Sequence, residues 1–272
     1  MAFDGYLPAL AAVGYALLLL AAVFIYLSLG RQIRARVIDP AAVPVRDFGW
    51  FEAILAALLA CWFLLNIAVS LSVSHDMSSI RSRDLAWNAV LTIGLLLFIA
   101  ACLRLRGLNL SSLGGFTKIG FGRAVATGAI LMLSAYPLVL LASALTQSFL
   151  RGVPEKQGIV ELFNASSTLE RRILIILLAV TIAPIAEEFF FRFFLYGVMR
   201  RYFGYGAALL INALLFAALH VHLPSLAPLF VLGICFTIAY EWTGSILVPM
   251  TMHAIFNAVA LTALAFPEIV PQ

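Results

Sequence analysis

Two adjacent carboxylates, Glu187 and Glu188, and one guanidinium, Arg192, stand in the apolar run IAPIAEEFFFRFFLYG. Ionisable groups within a membrane segment are costly to insert, face the interior of a bundle and mark function. On a helix, Glu188 and Arg192 lie four apart with the acid N-terminal, the favourable order for an ion pair. Glu187 points about 100° away from Glu188, because each helical residue turns by that angle. The spacing therefore predicts a Glu188–Arg192 pair and, beside it, a carboxylate with no local partner. Burial and a nearby cation act on a carboxylate in opposite directions, so such a set can be tuned for general-base work. Mutual neutralisation explains the pair equally well. It does not explain Glu187.

Two further patterns carry polar groups in apolar surroundings. In LLFAALHVHLP, Phe216 and His220 are one turn apart and share a face. His220 can exchange a proton or ligate a metal, while Phe216 can limit water beside it. His222, just before Pro224, reads as an interfacial or supporting group. In GSILVPMTMHAIFNAVALTALAF, His253 and Asn257 are again four apart, and two hydrogen-bond donors on one face can hold an oxyanion. Alone, His220 is better explained as a satisfied interfacial residue, and His253 with Asn257 as a helix-packing contact. Acids or histidines on three separate segments, in a chain with four histidines, are not so explained.

The elements that position these groups follow from composition. Of 272 residues 64% are hydrophobic and only 11% charged, against about a quarter charged in soluble domains. The sequence predicts an all-α fold, a polytopic transmembrane bundle of about eight helices, from apolar segments near 7 to 29, 51 to 73, 86 to 103, 124 to 149, 173 to 199, 205 to 220, 225 to 240 and 245 to 266. Pro224 and Pro228 are expected to break the chain between the sixth and seventh, and Pro184 to kink the fifth. Residues 104 to 123, rich in glycine, read as a flexible surface loop. The N-terminal run reads as a retained transmembrane helix. Residues 1–150 form an N-terminal set of helices without a motif, and 151–272 hold the polar groups.

Basic residues cluster beside the apolar runs as topology signals. With the N-terminus outside, Arg31, Arg34, Arg36, Arg46, Arg104, Arg106, Lys118, Arg123, Arg200 and Arg201 fall inside. The outside set includes Arg151, Lys156, Arg171 and Arg172. No basic stripe interleaved with aromatics predicts nucleic-acid binding. Cys61, Cys102 and Cys235 sit singly in apolar runs and read as buried packing residues, without a CxxC pair.

The ordered set EEFFFR, FAALH and HAIFN, with APIAEE before the first and TGSILVPMTMHAIFNAV around the third, resembles the CPBP family of intramembrane proteases (CAAX protease and bacteriocin-processing, or Abi), whose signature is EExxxR, FxxxH and HxxxN. The likeness covers about residues 170 to 265, and the ordered spacing is more specific than any one motif. It implies peptide-bond hydrolysis in a cell membrane of bacterial type, of the kind carried out by type II CAAX prenyl endopeptidases. The partners it implies are the lipid bilayer and a membrane-anchored protein or peptide substrate. Carried over motif by motif, Glu187 with His220 activates water, Glu188 and Arg192 orient the site, and His253 with Asn257 stabilises the oxyanion. Many members have glycine after the arginine; Phe193 stands here, a bulk that could reshape the cleft.

Glu187, His220 and His253 would also make a two-His, one-carboxylate site for a divalent metal such as zinc. The HExxH helix of soluble zinc proteases is absent. The alternative is a metal-independent glutamate base, favoured slightly because an arginine-paired second acid tunes it without a cation. Some members of the family act as immunity or scaffold proteins, so a non-catalytic membrane scaffold using the same polar cleft is the competing function. A proton-coupled transporter fits less well, since no paired half-repeats with broken helices occur.

Overall fold

The computed structural model describes residues 6–38, 47–72, 80–150, 162–163, 166 and 168–266. Arg46, Arg151 and Lys156 of the charge pattern lie outside the described residues, as do parts of the connections near 30 to 50 and 150 to 172. No strand occurs among the described residues. The helices are α1 Tyr6–Ile38, α2 Trp50–Ser72, α3 Ser82–Leu105, the short α4 Leu110–Leu113, α5 Phe121–Phe149, α6 Leu169–Leu177, α7 Ala183–Glu188, α8 Tyr196–Ala218, α9 Leu223–Thr243 and α10 Leu247–Ala265. Two π-helical stretches, Leu178–Ile182 and Phe189–Leu195, flank α7. The protein is a multi-pass integral membrane protein: among the described residues six helical runs, including a 50-residue run over Leu169–Ala218, have the length and apolarity to cross a bilayer, and the last apolar helix is shorter.

The long run is two passes. Gly204 breaks α8 with φ 77° and ψ 177°, a conformation that only glycine adopts freely. The chain folds back there, since Asn212 Nδ2 donates to the Phe191 carbonyl at 2.9 Å and Phe191 meets Phe216 edge-on at 5.3 Å. The expected breaks at proline shift accordingly. Pro224 sits in the first turn of α9, where its missing N–H costs nothing, and Pro228 lies inside that helix. The reversal between α8 and α9 falls on residues 219 to 222, where Val221 has φ 47°.

The packed centre is formed by α5, α8, α9 and α10, with α1 against α5 and α9. Two close approaches set it. At Gly233 an added Cβ would lie 3.2 Å from Ala213, so the small residue lets α9 approach α8, and at Gly128 one would lie 2.9 Å from the Val248 carbonyl of α10. By contrast α2 and α3 present Leu58, Trp62, Leu64, Leu91 and Leu97 outward, a lipid-facing surface. The cysteines divide differently from expectation: Cys235 is buried, Cys102 half-buried and Cys61 exposed on that lipid-facing surface.

The glycine-rich segment is docked. Gly115, at φ 65°, abuts the turn between α9 and α10 so closely that a Cβ would fall 1.7 Å from the Gly244 carbonyl oxygen, and Ile246 N donates to the Gly114 carbonyl at 2.9 Å. This contact belongs to one end of the bundle, which also holds the ends of α1, α3 and α9 and the reversal at Gly204. Arg36, Lys118, Arg200 and Arg201, which the sequence places on one side of the membrane, share that end. Arg171 and Ile80, joined by a 2.6 Å hydrogen bond, lie with the starts of α3 and α6.

Candidate active site

The conformation of the helix that carries the two acids is set by a proline. In an α-helix the Ala183 N–H would bond the Ala179 carbonyl; here it bonds Leu178, one residue further back, which is the π register. In that register the next donor, for Ala179, would be residue 184, and Pro184 has none. Asn257 Nδ2 from α10 fills the gap, donating to the Ala179 carbonyl at 2.7 Å. The widened turn and its side-chain partner together fix how α7 presents Glu187 and Glu188. Replacing Asn257 with Leu is expected to leave that carbonyl unpaired and to lower stability by about 1–3 kcal/mol, read by unfolding in detergent. Unchanged stability would remove Asn257 from this role.

Glu188 is the fully buried hub. Its Oε1 accepts from Arg192 Nη1 at 3.0 Å and from His253 Nδ1 at 2.9 Å. Arg192 also reaches the Gly233 carbonyl at 3.4 Å, and its guanidinium carbon lies 4.2 Å from the Phe216 ring centre, 5.2 Å from Phe236 and 5.8 Å from Phe191. Three aromatic faces thus replace part of the hydration that the cation loses. The pair expected from the spacing is present, and its acid holds the histidine of a third element as well.

Because a carboxylate only accepts, the hydrogen bond to Glu188 puts a proton on His253 Nδ1. His253 Nε2 then faces Glu187, whose Oε2 is 3.9 Å away, too far for a direct hydrogen bond. That buried Oε2 has no hydrogen-bond partner among the described residues. His220 is oriented the same way: its Nδ1 lies 2.9 Å from the Phe216 carbonyl, so Nδ1 donates and in the neutral ring Nε2 carries the lone pair. Phe216 touches both rings, with centroids 5.1 Å from His220 and 5.8 Å from His253.

Glu187, His220, His253 and Asn257 line one cavity of about 660 Å³. It lies toward the end of the bundle opposite the basic cluster, where α3 and α9 begin and α5 ends. Glu188 and Arg192 stand behind it and do not line it. His222 is also outside; its ring bonds Ser225 Oγ at 2.7 Å at the start of α9. Phe193 does not reshape the cleft, because its ring is buried on the other side of the helix against Phe189 and Phe48, at 5.0 and 6.4 Å.

The expected metal ligands do not form a set. Among the described residues no group of three His, Cys, Asp or Glu side chains could hold an ion. Glu187 and His253 approach each other, but His220 does not join them as a third ligand. As arranged, these residues do not fit a three-ligand zinc site.

The cavity's remaining walls come from α3 and α5. Asn88 and Thr92 are four apart, and Tyr136, Ser143 and Gln147 recur at intervals of seven and four, so each series lies on one helix face. These residues went unnoticed in the sequence, although polar groups at helical spacing in apolar runs are a readable signal. The Tyr136 hydroxyl is buried without a partner among the described residues.

A polytopic helical membrane protein in which one carboxylate and two histidines line a cavity, with a buried Glu–Arg pair behind them, defines the class. Residues 169–259 match the family described as type II CAAX prenyl endopeptidase Rce1-like, which is what this segment is similar to. Over 99 residues the chain is 39% identical to the uncharacterized protein YpbD of Bacillus subtilis (strain 168), an overlap that covers 35% of this chain and 48% of YpbD, so the chain spans about half the length of the curated relative it matches. No solved structure matches the chain. The family match leaves α1 to α5 uncovered.

Proposed function

We propose that the protein is an intramembrane endopeptidase that hydrolyses a peptide bond of a membrane-associated substrate. The observation that carries this reading is the convergence of Glu187, His220, His253 and Asn257 on one cavity, with His253 held by the buried Glu188–Arg192 pair. In this mechanism Glu187 and the free Nε2 of His220 take a proton from water as its oxygen attacks the scissile carbonyl carbon. The carbonyl oxygen becomes an oxyanion, which His253 Nε2 and the second N–H of Asn257 stabilise. With Nδ1 already donating to Glu188, His253 donates from Nε2 to the oxyanion as the imidazolium. When the C–N bond breaks, the proton held by the base passes to the leaving amine. Glu188 and Arg192 touch no reacting atom in this scheme; they position His253.

The family match supports a CAAX-type protease. The apolar walls, among them Leu85, Leu140 and Ile182, suit a membrane-embedded peptide segment. The test compares new N-termini in the membrane proteome of cells making the wild type, His220→Ala or His222→Ala. Termini made by the wild type and His222→Ala but lost with His220→Ala are expected. The same termini from all three proteins would sink the assignment of His220. A phenotype without any wild-type-dependent termini would favour the scaffold reading.

A further inference from the structure

A second cavity, of about 680 Å³, lies at the opposite end of the bundle and shares no wall residue with the first. Its walls come from the end of α1, the docked segment around Gly107 and Lys118, the helix leading to Gly204, and the end of α9. Four cations line it, Arg36, Lys118, Arg200 and Arg201, against two carboxylates, Asp47 and Glu241. The carboxylates are engaged: Glu241 holds Arg200 at 3.1 Å, and the exposed Asp47 lies 3.8 Å from Arg201.

Arg36 and Lys118 have no carboxylate partner among the described residues. Arg36 Nη1 donates to the Trp242 carbonyl at 2.8 Å, and the Lys118 ammonium lies over Gly244, so both also offset the negative end of α9. Those contacts leave most of their donors unused, since a guanidinium carries five N–H groups and an ammonium three. The level of the cavity is marked by aromatics. Trp50, largely exposed, packs on Tyr202 at 5.8 Å, and Trp242 Nε1 bonds Gln32 on the cavity's rim. Trp and Tyr at the ends of membrane helices sit at the headgroup level.

We propose that this cavity binds the phosphate headgroup of an anionic membrane lipid. A phosphodiester supplies the acceptors that Arg36 and Lys118 lack, and the acyl chains can continue along the lipid-facing surface of the bundle. The site is distinct from the candidate active site, and binding is read without any cleavage assay, so it stands or falls independently of the peptidase reading.

The purified full chain in neutral detergent is titrated with dioleoyl phosphatidylglycerol, dioleoyl phosphatidylcholine or inorganic phosphate, following binding and the thermal midpoint. Saturable binding of phosphatidylglycerol is expected, weakening as salt rises. Lys118→Gln and Arg36→Gln should each weaken it about fivefold, the worth of one basic residue near a charged headgroup, while Arg83→Gln at the far end should not. Lys118 is exposed, so its variant alone keeps the test valid if Arg36→Gln unfolds. Equal affinity for phosphatidylcholine, wild-type binding by Lys118→Gln, or inorganic phosphate binding as tightly as the lipid would each overturn the proposal.

Discussion

Glu187→Gln should cut peptide-bond cleavage about 10²–10⁴-fold, the usual contribution of a positioned general base, with little change in stability. The two halves of that expectation have separate causes. Gln keeps the shape and polarity of the side chain but cannot accept a proton, so the water-activating step fails while the cavity keeps its form. Stability is spared because Glu187 Oε2 makes no hydrogen bond among the described residues and the side chain is 28% exposed, so no buried partner is orphaned. The measurement is single-turnover cleavage of a substrate identified from wild-type-dependent N-termini, beside an unfolding midpoint for the same preparation. A folded Glu187→Gln enzyme with wild-type turnover would remove Glu187 from the chemistry. Loss of cleavage with loss of folding would instead assign it a structural role.

How far the site could be read in the sequence depended on the range of the interactions. The Glu188–Arg192 pair is local, four residues on one helix face, and the structure holds it at 3.0 Å. The convergence of Glu187, His220, His253 and Asn257 is not local; motif order suggested it, and helix packing through Gly128 and Gly233 brings it about. Two features were out of reach. The π register around α7 depends on a proline and on an asparagine 73 positions later, a coupling no periodicity reveals. The second bond to Glu188 comes from His253, so an acid expected to serve one arginine serves a histidine too. The walls supplied by α3 and α5 lie outside the motif-bearing region, but the helical spacing of Asn88 and Thr92, and of Tyr136, Ser143 and Gln147, is legible in the sequence.

Arg192→Met is expected to be the most damaging single change to stability. Arg192 and Glu188 are both fully buried, so removing the guanidinium leaves a carboxylate in a dry interior with His253 Nδ1 as its remaining hydrogen-bond donor. Breaking a buried pair from one side costs about 3–5 kcal/mol, more than the pair itself contributes over an apolar replacement. The double variant Arg192→Met with Glu188→Gln should therefore be more stable than Arg192→Met alone, because the uncompensated charge is gone and Gln still accepts from His253. Arg192→Lys should fall between, since an ammonium keeps the charge but not the planar stacking on Phe216 or the second bond to Gly233. Unfolding in detergent gives the order directly. If Arg192→Met unfolds at the wild-type midpoint, the buried pair does not carry the stability assigned to it. If the double variant regains stability but still fails to cleave, Glu188 acts on the reaction by orienting His253, a role that a neutral amide does not fill.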